Sequence, residues 1–172
     1  MDFTKAFDMT SHLTILQTLK NDFNCSSSCL ELVRSFLSDR FQRVIASDSI
    51  HSEWRSVTSG VPQGSLLGPL LFVCVINDMH CVDKNSQTDA YADDATIMHH
   101  VPIGEPNNMQ REIDNFVQWS TNKGMKINID KTKYIIFRRS NINHDLPSLK
   151  IGDTILEEVK SIKILGVIFD ND

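Results

Sequence analysis

Apolar residues recur every three or four positions in four segments, a spacing that places them on one face of a helix. The predicted helices begin at Thr10 or Ser11, at residues 26–28, at Ser65 or Gly68, and at Asn107. Serine and threonine side chains at the first two starts can accept hydrogen bonds from free N–H groups of a first helical turn. Pro69 is compatible with the third helix because the first turn needs no intrahelical N–H. Gly124 lies just past the end predicted for the fourth.

Other segments alternate apolar and polar residues or contain short apolar runs bounded by turn residues, which is typical of strands. The predicted extended elements are a hairpin over 40–58 that turns at 47–49, two short strands over 88–99 that turn at Asp93-Asp94, two strands over 125–137 that turn at Asp130-Lys131, a hairpin over 151–155 and a final strand over 162–169. Helices mixed with antiparallel hairpins predict an α+β fold. We expect one domain over residues 1–172, with 101–106 as the only weak linker candidate.

Composition is that of an ordinary globular protein, with 41% hydrophobic and 23% charged residues. No apolar run approaches the roughly 18 residues that a membrane span needs, so no membrane partner is expected. The first residues do not resemble a signal peptide. We therefore expect an intracellular protein, nuclear or cytoplasmic, whose four cysteines are free thiols. The cysteines and neighbouring histidines lack the paired spacing of a zinc site.

The formal net charge is −5, which taken alone argues against a nucleic-acid binder, because such proteins usually have a basic face. Charge is nevertheless unevenly distributed, because residues 123–139 contain six basic side chains and a single acid, Asp130. Such a segment could follow a phosphate backbone. A solvated strand and loop surface is the simpler interpretation, and charge alone favours it.

Asp93-Asp94 lies at a predicted tight turn between apolar flanks. Turns favour Asp for local hydrogen bonds, so a structural role is available. Adjacent carboxylates also repel each other unless a positive charge lies nearby. If residues 2–8 ended a strand beside this turn, Asp2 would join the pair, and clustered carboxylate oxygens suit Mg²⁺. The sequence leaves both interpretations open.

Five further segments stand out along the chain: DFTKAFD at 2–8, GVPQGSLLGP at 60–69, YADD at 91–94, NIDKTK at 128–133 and LGV at 165–167. Together they resemble the ordered motifs of reverse transcriptases from non-long-terminal-repeat (LINE-type) retrotransposons. Each motif alone is weak evidence, but their order and spacing over nearly the whole chain are specific. The resemblance implies a polymerase right-hand palm, with a small antiparallel sheet that carries the carboxylates and helices packed on one face. It implies RNA-templated addition of deoxynucleoside triphosphates to the 3′-OH of a DNA primer, with two Mg²⁺ ions.

The resemblance also implies roles for individual residues. Asp2, Asp93 and Asp94 would be the metal-binding catalytic carboxylates, and Lys131 would lie near the leaving pyrophosphate. Phe7 would be a steric gate against a ribose 2′-OH. Gln63, Gly64, Tyr91 and Ala92 would contact template, nucleotide or primer strand, and Leu165, Gly166 and Val167 would seat the primer end.

The printed sequence has no match to the fingers region that the family places before the first motif, nor to the thumb after the last. We therefore expect a partial palm in which Asp2 is poorly held, because residues at chain ends fray. Two alternatives to an active polymerase follow. One is a catalytically inactive retroelement remnant that at most binds nucleic acid, and the other is an unrelated α+β interaction module.

Overall fold

The computed structural model describes residues 1–47, 50–138 and 147–171. The chain folds as two compact units. The first unit comprises Met1–Phe3, Met79–Ser120 and Lys126–Asp172, and the second comprises Thr4–Asp78 and Thr121–Met125. The sequence prediction of a single domain over 1–172 stays a prediction.

The secondary structure confirms the α+β class. The helices are α1 (Ala6–Met9), α2 (His12–Asn21), α3 (Ser27–Leu37), α4 (Leu67–Ile76) and α5 (Met109–Asn122). The strands are β1 (Phe41–Gln42), β2 (Ile45–Ser47), β3 (Ile50–His51), β4 (Arg55–Ser56), β5 (Ser86–Tyr91), β6 (Asp94–His99), β7 (Lys133–Tyr134), β8 (Lys150–Ile151), β9 (Thr154–Ile155), β10 (Glu157–Glu158), β11 (Ser161–Ile164) and β12 (Val167–Asp170). In the described ranges they pair as six two-stranded ladders, all antiparallel except the parallel pair β7–β10. The small antiparallel sheet expected from the sequence is thus divided into separate ladders.

Serine caps begin two helices of the second unit, as predicted. Ser11 accepts a hydrogen bond from the Thr14 N–H at the start of α2, and Ser26 accepts one from the Cys29 N–H at the start of α3. The buried side of α2 is formed by Ile15, Thr18 and Leu19. Leu13 of the same helix is 64% exposed. The core of this unit also includes Phe72 and Val75 of α4.

The predicted hairpin over 40–58 is confirmed by the antiparallel pairs β1–β4 and β2–β3. Its predicted turn includes residues 48 and 49, which lie outside the described part of the chain.

None of the helices in the described ranges combines the length and apolar character that crossing a bilayer requires.

The first unit is centred on the β5–β6 hairpin and helix α5. The two strands pair in register from Ser86↔His99 to Tyr91↔Asp94, which confirms the predicted hairpin but places its turn at Ala92 and Asp93, one residue earlier than predicted. Ile113 and Phe116 are buried on the inner side of α5. Phe3 stacks on Phe116 with ring centroids 5.6 Å apart and forms an isolated antiparallel bridge with Ile127. These contacts hold residues 1–3 against the core of the unit.

The structure corrects two strand predictions in the first unit. The single strand expected over 162–169 is a hairpin, β11–β12, which turns at Leu165 and Gly166. Both turn residues have positive φ, the combination that a two-residue type I′ hairpin requires. The two strands expected over 125–137 are reduced to the bridge at Ile127 and the two-residue strand β7.

Candidate active site

Asp2 is fixed by hydrogen bonds of its own backbone and of the residue before it. The Met1 nitrogen donates to the Ala95 carbonyl at 2.7 Å, and the Ala95 N–H donates to the Met1 carbonyl at 3.1 Å. The Asn128 N–H donates to the Asp2 carbonyl at 2.8 Å, and the Asp2 N–H donates to Thr132 Oγ1 at 3.3 Å. The expectation that Asp2 would be poorly held is therefore wrong in this structure, because strand β6 and the 128–132 turn hold it on both sides.

The carboxylate of Asp2 has an unusual environment. Its Oδ2 atom is buried and accepts no hydrogen bond from the residues that the structure describes. The nearest cation is the Lys131 ammonium, whose Nζ lies 3.6 Å from Oδ2, an ion pair longer than a hydrogen bond. A buried carboxylate oxygen without a donor is costly unless a positive charge compensates it. This oxygen is therefore suited to binding a cation.

Asp93 and Asp94 lie at the tip of the β5–β6 hairpin. Asp94 begins β6 opposite Tyr91, and Asp93 occupies the turn with Ala92. The φ of Ala92 is +54°, a left-handed conformation that costs a non-glycine residue roughly 1–2 kcal/mol. Asp93 is half-buried, whereas Asp94 is exposed. The turn thus holds the two adjacent carboxylates on a strained backbone, a condition that often accompanies functional sites.

Burial and two carboxylates shift the pKa of the Met1 α-amino group in opposite directions. Burial lowers the pKa of this group, while the charges of Asp2 and Asp94 raise it. Both carboxylates therefore act on the same nitrogen, which also donates to Ala95 in β6. However, no group of three His, Cys, Asp or Glu side chains within the described ranges is arranged to hold a metal ion. The structure places Asp2 beside Lys131, in the same unit as the hairpin, without assembling a three-carboxylate cluster.

In the second unit, Phe7 lies in α1 and its ring stacks on Phe72 of α4, with centroids 4.5 Å apart and an interplanar angle of 29°. Because Phe72 is fully buried, the half-buried Phe7 ring has a rigid support. A supported ring of this kind is what a steric gate needs. The same packing also satisfies a purely structural role for Phe7.

Gln63 and Gly64 lie in the loop that precedes α4. The Gln63 side-chain nitrogen donates to Asp8 Oδ1 at 2.8 Å. Gly64 has a φ of +80°, and a Cβ built on it meets no atom within 4 Å. Space is therefore open above this glycine, as a backbone position that faces a ligand requires.

Sequence reasoning left Asp8 out of the site and overlooked the role of Gly60. A Cβ on Gly60, at φ +83°, would lie 2.7 Å from both the Cα and the carbonyl oxygen of Asp8. The loop therefore approaches α1 backbone to backbone. The glycine itself was the available signal, but only the fold identifies the segment that it touches.

Leu165, Gly166 and Val167 form the exposed end of the β11–β12 hairpin, with Leu165 61% and Val167 57% exposed. At the opposite end of the hairpin, the Asn171 N–H donates to the Lys160 carbonyl at 3.0 Å. The predicted primer-seating residues therefore lie on a projecting turn. Tyr91 is likewise 67% exposed, at the end of β5.

The basic segment at 123–139 is partly neutralised by acids of the protein. Besides Lys131, Lys133 pairs with Glu157 at 2.8 Å, and the largely buried Lys123 pairs with Asp78 at 2.8 Å. Arg139 lies outside the described residues. This pairing favours the interpretation of the segment as protein surface.

All four cysteines are free, as predicted, and burial raises the pKa of Cys74.

Comparison with known proteins identifies the class. The family described as reverse transcriptase (RNA-dependent DNA polymerase) matches residues 1–169, so the chain belongs to the reverse transcriptase family. The RNA-directed DNA polymerases from mobile element jockey of Drosophila melanogaster and Drosophila funebris are 27% and 29% identical to it. The probable RNA-directed DNA polymerase from transposon BS of Drosophila melanogaster is 26% identical. Each alignment covers 99% of this chain, which spans 19% of the length of these relatives.

Proposed function

We propose that this chain forms the palm of a non-long-terminal-repeat retrotransposon polymerase and extends a DNA primer on an RNA template during retrotransposition. The observation that carries the proposal is the buried Oδ2 of Asp2 beside Lys131, which accepts no hydrogen bond from any residue that the structure describes. Asp2 is joined through Met1 to the strand that begins at Asp94. The family membership and the relatives in mobile elements support the same function.

Divalent cations fit part of this site. Asp2 supplies a buried oxygen with no donor in the described ranges, and the paired carboxylates of the β5–β6 turn supply further hard oxygen ligands, the type that Mg²⁺ prefers. We propose that Asp2, Asp93 and Asp94 hold two Mg²⁺ ions. When bound, such ions stabilise the negative charge that develops on the attacking and leaving oxygens of a phosphoryl transfer.

The remaining residues bind and orient the substrates. Lys131, 73% exposed at its side chain, carries a mobile ammonium close to Asp2 and is suited to neutralise or protonate a departing pyrophosphate. Phe7, rigid on Phe72, excludes a 2′-OH. Gln63, Gly64, Tyr91 and Ala92 contact the nucleotide and the strands, and Leu165, Gly166 and Val167 seat the primer end.

The test is primer extension on an RNA template with Mg²⁺ and deoxynucleoside triphosphates. Asp2→Asn and Asp93→Asn are each expected to abolish incorporation, because an amide removes the negative charge at a metal ligand. Asp130→Asn is the matched control, because it makes the same chemical change at an exposed aspartate outside the proposed metal ligands, and it should keep incorporation. Incorporation that survives in both active-site variants would refute the proposed function.

The absence of a three-ligand cluster within the described ranges favours one alternative, a remnant that binds template–primer without extending it. The two functions separate in a single experiment. Binding of labelled template–primer without incorporation, unchanged in Asp93→Asn, identifies the remnant. Incorporation that requires Asp93 identifies the polymerase.

A further inference from the structure

Asp8 and Gln63 form a direct link between the end of α1 and the loop before α4. The Gln63 Nε2 atom donates to Asp8 Oδ1 at 2.8 Å. Resting on the proposed function, we propose that Asp8 is a positioning residue, which holds the Gln63 amide in the orientation that receives the incoming deoxynucleotide. Asp8 itself does not contact the substrate in this assignment.

The backbone around this link is already fixed without either side chain. The Gly60 N–H donates to the Thr10 carbonyl at 2.8 Å, and the Val61 N–H donates to the Phe7 carbonyl at 2.7 Å. The Ser59 hydroxyl donates to the Asp8 carbonyl at 2.9 Å. Three hydrogen bonds therefore hold the loop against α1, and the Asp8 carboxylate is free to act on Gln63 alone.

The chemistry of the two groups sets the direction of the glutamine amide. An ionised carboxylate only accepts hydrogen bonds, so the NH₂ end of Gln63 must face Asp8. The amide oxygen and the second N–H are then left for a ligand. A hydrogen bond to a charged acceptor is stronger than a neutral one, so it selects this orientation over the flipped amide.

Both side chains are exposed, and this separates a positioning role from a structural one. Asp8 and Gln63 are both exposed to solvent. Substitutions at exposed side chains that do not support the backbone usually change stability little. A free Gln63 would instead lose rotamer freedom when a ligand binds, which is a cost that Asp8 removes beforehand. The effect of Asp8 should therefore be seen in nucleotide affinity and not in thermal stability.

The experiment measures the affinity for the next correct deoxynucleotide on an RNA template with a dideoxy-terminated DNA primer, so that no chemistry is needed. Asp8→Ala is expected to weaken this affinity by about 5- to 20-fold, the range for losing a hydrogen bond to a charged group at an exposed position. Asp8→Asn removes the charge and can either accept from or donate to Gln63, so it no longer selects one amide orientation and should weaken this affinity, though less than Asp8→Ala. Asp22→Ala, at an exposed aspartate beyond α2, is the control for loss of a surface charge.

A double-mutant cycle tests whether Asp8 acts through Gln63. In a Gln63→Ala background, Asp8→Ala should change nucleotide affinity by less than about twofold, because coupled residues are not additive. All variants should melt at the wild-type temperature. Full additivity, wild-type affinity in Asp8→Asn, or no loss in Asp8→Ala would each overturn the inference while leaving the proposed function intact. Wild-type protein that binds template–primer but no nucleotide would overturn both.

Discussion

The Nζ of Lys131 lies 3.6 Å from the Oδ2 of Asp2, an oxygen that is buried and accepts no hydrogen bond within the described residues. The lysine side chain is 73% exposed, whereas that of Asp2 is 22% exposed. The ammonium can therefore move away into solvent while the carboxylate stays in place. This asymmetry is suited to a site where a cation replaces the lysine as the partner of the carboxylate, which frees the ammonium to bind a phosphate.

Divalent cations should stabilise the folded chain through Asp2. A ligand that binds only the folded state raises the free energy of unfolding by about 2.7 kcal/mol at 100 times its dissociation constant. Thermal melts with and without Mg²⁺ or Mn²⁺ should show this increase in wild type and lose most of it in Asp2→Asn. Asp130→Asn should respond like wild type. An undiminished increase in Asp2→Asn would show that the cation binds elsewhere.

Gly60 and Gly64 have similar positive φ values, +83° and +80°, but different surroundings. A Cβ at Gly60 would meet the Asp8 backbone at 2.7 Å, whereas a Cβ at Gly64 would meet nothing within 4 Å. Gly64→Ala should cost only the backbone strain, about 1–2 kcal/mol. Gly60→Ala adds a clash with backbone and should cost at least about 3 kcal/mol in urea unfolding. Equal losses would contradict the close approach seen here.

The carboxylate of Glu112, 1% exposed, accepts hydrogen bonds from the backbone of the segment that leads into β5. The Val82 N–H lies 3.0 Å from Oε2, and the Asp83 N–H lies 2.6 Å from Oε1. Glu112→Ala leaves these buried donors unpaired and should cost about 3–5 kcal/mol. Glu31→Ala, which removes an exposed pair with Arg34, should cost less than about 1 kcal/mol. Denaturant midpoints compare the two, and similar midpoints would refute the bonding role of Glu112.

Asp83 should contribute to the acid sensitivity of the first unit. Hydrogen bonds from the Asn85 N–H and the Asn108 side chain lower the pKa of its carboxyl. A lowered folded-state pKa gives stability that is present above the unfolded value, about 3.9, and lost as pH falls through the folded value. Asp83→Asn should therefore flatten the loss of stability between about pH 5 and pH 3. Urea midpoints across this range measure it, and parallel curves for variant and wild type would count against the assignment.

Local chemistry in the sequence determined the elements that depend on near neighbours. The helix starts at Ser11 and Ser26 follow from capping, and the β5–β6 hairpin follows from the apolar flanks of its turn. The order of the five motifs also determined the family. The helix caps rest on hydrogen bonds between residues three positions apart, whereas the family assignment rests on the order of motifs along the chain.

Only the tertiary structure decided how Asp2 is held and what Asp8 does. Ala95 holds Met1, Asn128 holds Asp2, and Gln63 binds Asp8; these partners lie between 55 and 126 positions apart along the chain, and no pattern of apolar residues encodes such pairings. The turn at Leu165 was hidden for a related reason, since a leucine with positive φ is rarely favoured by its own backbone preferences. Long-range contacts determine how Asp2 and Asp8 are paired, and the sequence by itself shows only the residues that these contacts bring together.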